Sequence, residues 1–300
     1  MATIPGSQFG VTASATVNIV ETATGTGLPA PVSGDFNLEV FVGALANVPT
    51  ITPGYQGLAV LTSGGLELDL VSGAYAVTDN GTGADTITAL GNYETISGSG
   101  TANVTLNLAG TGDVANAVGG NDTIGVLGSY DTVNGAGNDT VSVVGFGNDV
   151  NGSASGTNSY TISGNYDTVS TGGNATDTVN VGGFGDQVNT SGADTINITA
   201  GASFDTVAAG TQSGTNTATI NLSGASTNFT FADAGTHTYA DTIVGFSTAA
   251  GDTIHLTTDS VSDALAHTTH PTASDTLIHL NDGSTILLKG VANVDGSFFS

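Results

Sequence analysis

One short sequence phrase recurs between Gly81 and about Gly210: a small or aromatic residue, an acid, usually Thr, then Ile or Val. Most copies lie eight to ten residues apart, which is too long for one helix face and too regular for loops. Alternate copies form two series whose members repeat at about 18 residues. The spacing predicts an all-β fold, a parallel β-solenoid of the β-roll or β-helix type with two short strands in each coil.

The acid of the phrase divides into these two series. The first series is Glu94, Asp113, Asp131, Asp149, Asp167, Asp186 and Asp205. The second series is Asp85, Asp122, Asp139, Asp177 and Asp194, with Val104 and Tyr160 in its two places without an acid. Strands of successive coils are about 4.8 Å apart, so each series predicts a row of stacked acids. Neighbouring carboxylates at that distance repel by about 1 kcal/mol in water, so a compensating interaction is expected.

Two interactions could offset the repulsion between the stacked carboxylates, and the sequence does not decide between them. Calcium takes about six to eight oxygen ligands, which carboxylates and turn carbonyls supply. The candidate calcium ligands are Asp113, Asp122, Asp131, Asp139, Asp149, Asp167, Asp177, Asp186 and Asp194. In the alternative, each acid caps its own corner by accepting a backbone N–H bond, as Asp does in Asx-turns. Raised pKa values of the acids favour the alternative.

An aromatic residue precedes the acid in every second member of the first series. These residues are Tyr93, Tyr130, Tyr166 and Phe204. They predict a stacking ladder with a member in every second coil, which stiffens the rod; a surface for carbohydrate or a partner is the other interpretation. The intervening corners carry Gly112, Asn148 and Gly185, whereas Phe146 and Phe184 are interpreted as corner packing.

The charge balance restricts the classes of partner. Acids number 26 against one base, Lys289, which gives a formal net charge of −25. Nucleic acid and anionic membrane surfaces both require basic groups, so neither is an expected partner. No apolar stretch is long enough to predict a membrane span, and cysteine is absent. No catalytic motif is recognisable, so we expect a protein that is not an enzyme.

Changes in pattern along the chain predict three regions. Residues 1–80 lack the acid phrase and suggest a β-rich amino-terminal cap or assembly module. Residues 81–231 carry the solenoid repeats, and residues 232–300 form a carboxy-terminal block. Four of the five histidines, His255, His267, His270 and His279, lie in the part of that block after Asp241, where we interpret them as solvated, because a zinc site requires three or four converging ligands.

Several segments resemble a known family of repeats. Residues Gly135-Ala-Gly-Asn-Asp-Thr-Val141 resemble the nonapeptide of bacterial RTX calcium-binding β-roll proteins, and Gly119–Ile124 and Gly182–Asp186 are shorter approximations. The block from Asp241 to Ser300 is similar to the carboxy-terminal region of bacterial proteins exported by type I secretion, which often ends in aromatic residues. The resemblance implies calcium between successive turns, export through the type I secretion machinery, and folding outside the cell.

These observations together lead to a functional expectation. We expect a secreted bacterial protein, extracellular or at the cell surface, that assembles with itself into a surface layer, fibre or biofilm matrix. Calcium at the solenoid corners is its expected cofactor. Copies would join head to tail, a heterologous contact that produces open filaments. The alternative is a secreted adhesin or an ice- or carbohydrate-binding module.

Overall fold

The computed structural model describes residues 2–5, 16–22, 30, 36–42, 53–55, 57–61, 67–70, 76–79, 83–98, 102–117, 119–173, 175–211, 216–224, 227–235 and 237–300. The chain divides into two compact units, Met1–Thr140 and Val141–Ser300. In both units short parallel strands stack coil upon coil, with about 19 residues in a turn. The predicted all-β parallel solenoid is therefore confirmed. Much of the predicted amino-terminal module lies outside the described residues.

Unit 1 contains two sheets built from alternate strands. In chain order its strands are β1 (Ala2–Pro5), β2 (Thr16–Thr22), β3 (Phe36–Val42), β4 (Gly57–Leu61), β5 (Glu67–Leu70), β6 (Ala76–Asp79), β7 (Asp85–Ala89), β8 (Thr95–Gly98), β9 (Val104–Leu108), β10 (Val114–Asn116), β11 (Thr123–Val126) and β12 (Thr132–Asn134). The first sheet has the order β1-β2-β3-β4-β6-β8-β10-β12, and the second has β5-β7-β9-β11. Only β1 and β2 pair antiparallel among these described strands, so the parallel ladder extends back to β2.

Unit 2 repeats this arrangement and adds a carboxy-terminal block. Its strands are β13 (Thr140–Val143), β14 (Asp149–Asn151), β15 (Ser159–Ile162), β16 (Thr168–Ser170), β17 (Thr178–Val181), β18 (Gln187–Asn189), β19 (Thr195–Ile198), β20 (Thr206–Ala209), β21 (Thr219–Leu222), β22 (Thr230–Asp233), β23 (Ala240–Val244), β24 (Thr253–His255), β25 (Thr268–Thr272), β26 (Asp275–His279) and β27 (Thr285–Lys289), with one short helix, α1 (Val261–Ala266). The first sheet runs β14-β16-β18-β20-β22-β24, and the second runs from β13 through the odd-numbered strands to β23, then β27, β26 and β25.

The core lies between the two sheets and follows from the period-two alternation in the sequence. In β19 the burial alternates, with Ile196 and Ile198 fully inside and the intervening Thr and Asn half-buried. Parallel pairing in register places Val179, Ile196 and Ile220 in one inward row. Each such side chain contributes about 1.5–3 kcal/mol when removed from water, so the rows hold the coils together. The alternation read from the sequence therefore sets the register.

The carboxy-terminal block changes the strand direction at the end of unit 2. Strand β27 pairs parallel with β23, whereas β26 and β25 follow in antiparallel hairpins. The outermost strand β25 contains Pro271 and an irregular register. At the other sheet, the tail residue Phe299 bridges to Ile254, and Phe298 stacks on Phe246 with ring centroids 5.6 Å apart. Proline and irregular pairing are features that discourage further strand addition at a sheet edge.

Candidate functional site on the coil corners

Every coil turns twice, and the two kinds of corner differ. We define the aromatic corner as the loops that lead into strands of the first sheet: 90–94, 109–113 and 127–131 in unit 1, and 144–148, 163–167, 182–186 and 199–205 in unit 2. The opposite corner comprises the described residues of the loops that lead into the second sheet: 119–122 and 135–139 in unit 1, and 152–158, 171–173, 175–177 and 190–194 in unit 2. Each of these loops ends on the acid of the sequence phrase or, at Asn148 and Asn158, on Asn in its place. The row of the opposite corner continues to Asp241 in β23.

In unit 1 the acids of a row bond from one coil to the next. Asp113 Oδ1 accepts the backbone N–H of Glu94 at 2.8 Å, and Asp131 Oδ1 accepts that of Asp113 at 2.8 Å. At the opposite corner, Asp139 Oδ1 accepts the N–H of Asp122 at 3.1 Å. Each carboxylate therefore ties its coil to the backbone of the preceding coil.

In unit 2 the aromatic corner continues the same bond. The carboxylates of Asp167, Asp186 and Asp205 accept the N–H groups of Asn148, Asp167 and Asp186 at 2.8, 2.9 and 3.0 Å. A glycine three residues before the acid makes room for Asp167 and Asp186, whereas Ala202 stands at that place before Asp205. A Cβ on Gly164 would lie 2.1 Å from Asp167 Oδ2, a distance that no side chain tolerates.

The opposite corner of unit 2 has an equivalent row. Asp177 Oδ1 accepts bonds from both the backbone N–H and the side-chain amide of Asn158, at 2.9 and 2.8 Å. Asp194 Oδ1 accepts the N–H of Asp177 at 3.0 Å, and Asp241 Oδ1 accepts that of Ala218 at 2.6 Å. The alternative that acids cap backbone donors is thus confirmed in kind. The bonds above come from the neighbouring coil, and some acids also accept a donor of their own corner, as Glu94 Oε2 does from Gly91 N–H at 3.3 Å.

Two residues that the sequence placed in the acid rows are wrong, because strand pairing puts them at other positions of the coil. Asp149 pairs with Thr168 at an exposed strand position, and Asn148 occupies the acid row in its place. Tyr160 pairs with Val179 and is buried in the core, so Asn158 is the residue that replaces an acid in the second row. The error arose because only acids were counted as members of the rows, whereas Asn148 and Asn158 hold two of the places.

The row acids are buried, and burial raises their pKa values. Asp186 is 2% exposed, and its pKa is raised to about 7, first by burial and further by the charges of Asp205 and Asp167. Burial is the largest cause throughout: the pKa is raised to about 7 in Glu94 and Asp241, to about 6 in Asp122, Asp131, Asp194 and Asp205, and above its usual range in Asp113, Asp139, Asp167 and Asp252.

The second carboxylate oxygen explains the direction of these shifts. The Oδ2 atoms of Asp186 and Asp241 are buried and accept no hydrogen bond. A charged oxygen in such surroundings is costly, whereas a protonated carboxyl avoids the charge. The neutral form is therefore favoured at mildly acidic pH, which also removes the repulsion along a row.

The expected calcium ligands do not converge within the part of the chain that the structure describes. No three or more His, Asp or Glu side chains there are grouped as a metal ion would require. Apart from the exposed Asp149, each candidate carboxylate instead accepts a backbone N–H of the preceding coil. This donor set does not fit an ion coordinated mainly by carboxylates, and calcium at the corners stays a prediction.

The aromatic ladder lies on the surface of the aromatic corner. Tyr93 and Tyr130 in unit 1 are 70% and 62% exposed. In unit 2 the rings form an unbroken series through Phe146, Tyr166, Phe184 and Phe204, with successive centroids 5.3, 5.4 and 5.1 Å apart. Phe146 and Phe184 thus belong to the ladder, which has a ring in each of four successive coils of unit 2. Sequence reasoning missed this because these two rings stand one residue earlier in their loops.

The backbone of the ladder is unusual. Tyr93, Tyr130, Tyr166 and Phe204 have φ values between 57° and 62°. Glycine occupies the same place in alternate coils, at Gly112, Gly147 and Gly185, so Gly147 replaces the expected Asn148. The left-handed backbone lets Tyr166 N–H donate to the Phe184 carbonyl of the next coil at 2.9 Å, and Gly185 N–H to that of Ser203 at 2.9 Å.

The carboxy-terminal histidines do not converge. His255 Nδ1 lies 3.0 Å from the Ser300 carbonyl, and His267 Nδ1 lies 2.9 Å from the Asp263 carbonyl. His270 and His279 each lie beside a threonine hydroxyl. Among the described residues these side chains form no metal group. Their interpretation as solvated residues agrees with this arrangement.

Comparisons with known proteins give no relative: no protein family, curated protein or solved structure matches this chain. The fold itself is compatible with a β-roll repeat protein. Among the described residues, no helix has the length and apolar character needed to cross a membrane.

Proposed function

We propose that this chain is an extracellular structural protein whose copies assemble into a surface layer, fibre or biofilm matrix. The observation that carries the proposal is the coil-to-coil bonding: each unit repeats the same side-chain ties from one coil to the next. A rod built from such ties resists bending and shear without depending on any single residue. That property suits a load-bearing role.

Ladders of amides on the outer faces of the sheets extend the same bonding. In unit 1, Asn134 Nδ2 donates to Asn116 Oδ1 at 2.8 Å. In unit 2, Asn197 donates to Asn180 and Asn221 donates to Asn197, both at 2.9 Å. These faces are uncharged where the ladders run. Two copies can therefore approach through them without burying a charge.

We propose that copies assemble through the outer faces of the sheets. The predicted head-to-tail contact needs a sheet edge that accepts another strand, and β25 with Pro271 is a poor acceptor at the carboxy-terminal edge. The outer Thr and Asn rows offer a flat and repetitive alternative. The proposal also includes calcium, type I export and an extracellular location. These three parts rest on the resemblance to RTX repeats.

The test is negative-stain electron microscopy and light scattering of the full chain, in excess calcium and after chelation. Ordered filaments or sheets are expected, and their loss on chelation would support a role for calcium. A variant with Thr219→Glu adds a charge to the outer Thr row and should weaken assembly, whereas Thr248→Glu adds the same charge in an exposed turn and should not. Single rods in both conditions would contradict the proposal.

A second candidate function, a secreted adhesin or carbohydrate-binding module, is favoured by a different observation. The aromatic corner exposes rings that the hydrophobic core does not need. A structural protein of a matrix also has to bind other matrix material, so the two functions are compatible. The flat Thr rows that suggested ice binding are present as well, and thermal hysteresis tests that version directly.

A further inference from the structure

The exposed hydrophobic side chains of this protein are concentrated on the aromatic corner. Nine of the eleven large hydrophobic residues that the described part of the chain exposes lie in its loops. The opposite corner exposes none in its described residues. Soluble proteins seldom gather apolar side chains in this way unless a partner covers them.

In unit 2 the exposed rings form a line and not a patch. Phe146, Tyr166, Phe184 and Phe204 are 41%, 53%, 38% and 55% exposed, and each ring contacts the next. The line follows the stacking direction of the coils, which advance by about 4.8 Å each. A long, thin ligand fits such a line better than a compact one.

Stability of the fold does not explain these rings. A left-handed backbone costs a residue other than glycine about 1–2 kcal/mol. An edge-to-face ring pair stabilises the fold by about 0.5–1.5 kcal/mol, which is similar in size to that cost. Glycine at Gly147 and Gly185 makes the same corner without the cost. Strained residues of this kind cluster where a ligand is bound.

The surroundings of the line are polar but uncharged. Asn165 is exposed beside Tyr166, and Ser203 is half-buried beside Phe204. The acids of these loops, Asp167, Asp186 and Asp205, are buried. The nearest exposed acid in sequence is Asp149, which lies one residue beyond its loop.

We propose that the aromatic line of unit 2 binds a neutral linear polysaccharide. The C–H faces of sugar rings pack on aromatic rings, while their hydroxyl groups bond to amides and hydroxyls such as those of Asn165 and Ser203. The ladder spacing presents one ring for each coil to a polymer that extends along the same direction.

The proposal rests on the proposed function in one respect only: it names the material to which a matrix protein would attach. Assembly and polysaccharide binding use different surfaces, the outer sheet faces and the aromatic corner. An aromatic-corner variant that assembles without binding, or a Thr219→Glu variant that binds without assembling, separates the failure of one from the failure of the other.

The experiment is affinity electrophoresis of the full chain in native gels that contain hydroxyethylcellulose or galactomannan, with alginate as the anionic counterpart. The test variant combines Phe146→Asn, Tyr166→Gly and Phe184→Ser, each of which copies the residue found at the same place in a neighbouring coil. Val261→Ser, an exposed apolar residue on α1, is the matched control. Circular dichroism and thermal melting establish that all variants are folded.

At least one neutral gel should retard the wild-type chain and the control, and the triple variant should bind at least ten-fold more weakly. Equal retardation of the triple variant would overturn the assignment of the line. No retardation of the wild type in either neutral gel, or stronger retardation in alginate, would overturn the ligand class. Wild-type dimers that dissociate in the triple variant, without retardation, would identify a second copy as the occupant.

Discussion

Within unit 2, the aromatic corner and the opposite corner use the same bond to join successive coils. Asp186 at the first and Asp194 at the second each accept the backbone N–H of the preceding acid in their row, at 2.9 and 3.0 Å. Their outer surfaces have nothing in common. The aromatic corner exposes a series of rings, whereas the opposite corner exposes small and polar residues.

The difference separates what the coil requires from what the protein adds. Because both corners contain the acid row, that row is part of the solenoid architecture and does not by itself indicate a ligand. Among the described residues one corner alone exposes the rings, and it holds some of them in a left-handed backbone, which supports the binding proposed for them. Regularity in a repeat protein is therefore weak support for function, and an asymmetry between equivalent places is stronger.

The largest expected effect is a loss of stability as the pH rises, and it should come from both corners. The pKa values of Glu94, Asp186 and Asp241 are about 7 in the folded chain, against about 4 for an unfolded carboxyl. Between these values the folded protein binds more protons than the unfolded protein, so the free energy of unfolding falls as pH rises. Melting in chelator should occur several degrees lower at pH 8 than at pH 5.

Single substitutions measure how much each corner contributes to this dependence of stability on pH. Asp186→Asn at the aromatic corner and Asp241→Asn at the opposite corner each remove one buried titrating group and keep a side-chain oxygen as an acceptor, and Asn148 shows that a row accommodates Asn. Both should reduce the slope of melting temperature against pH by similar amounts. A melting temperature that rises from pH 5 to pH 8 in chelator would contradict the burial argument.

The next largest effect is expected when an acid is removed together with its acceptor oxygen. At pH 5, Asp186→Ala leaves the buried N–H of Asp167 without its bond, which costs about 1–3 kcal/mol in the free energy of unfolding. Asp177→Ala at the opposite corner deprives Asn158 in the same way and should cost a similar amount. Urea unfolding measures both.

Asp149→Ala is the matched control for those variants, because this exposed acid lies outside the rows. It should change the free energy of unfolding by less than about 0.5 kcal/mol. If Asp149→Ala lowered the free energy of unfolding as much as Asp186→Ala, the acid rows would not stabilise the fold more than an exposed acid does.

A smaller effect should distinguish the ring ladder from ordinary turns. A Cβ on Gly185 would lie 2.9 Å from the ring of Tyr166, and its φ is 72°. Gly201 has φ 91° and nothing within 4 Å of such an atom, so Gly201→Ala measures the backbone cost alone. Gly185→Ala should cost about 1 kcal/mol more in urea unfolding, consistent with overpacking. Adding Tyr166→Gly should remove that excess, and its persistence would exclude the ring as the cause.

Much of the fold could be predicted from the sequence because the repeat carries it. The inward residues Ile196 and Ile198 alternate with polar ones, and the acid phrase recurs at both corners of a coil, which fixes strand, register and stacking. The solenoid before residue 80 was harder to predict. There the strands β3, β4 and β6 pair in parallel like the later ones, but the acid phrase that marks a coil is missing.

The candidate site was only partly predictable, for reasons of register and chemistry. Asp149 matched the spacing of the acid row, but the chain places Asn148 there, and the backbone N–H of Asn148 donates to Asp167 as that of an acid in the row would. The coil-to-coil bonding partner of each acid also lies 17 to 23 residues away, outside any local motif. The continuous ring series became visible only when Phe146 and Phe184 were placed beside Tyr166 in space.

The smallest expected effect concerns the backbone of the ladder, where the usual order of glycine and alanine should be reversed. At Tyr166 the φ of 57° is strained for alanine but not for glycine, and both substitutions remove the same ring contacts. Tyr166→Gly should therefore be more stable than Tyr166→Ala by about 1 kcal/mol in urea unfolding. At the neighbouring exposed Asn165, which lacks a positive φ, alanine should be at least as stable as glycine. The same order at both residues would mean that the corner does not hold Tyr166 in this conformation, and the strain argument for binding would fail with it.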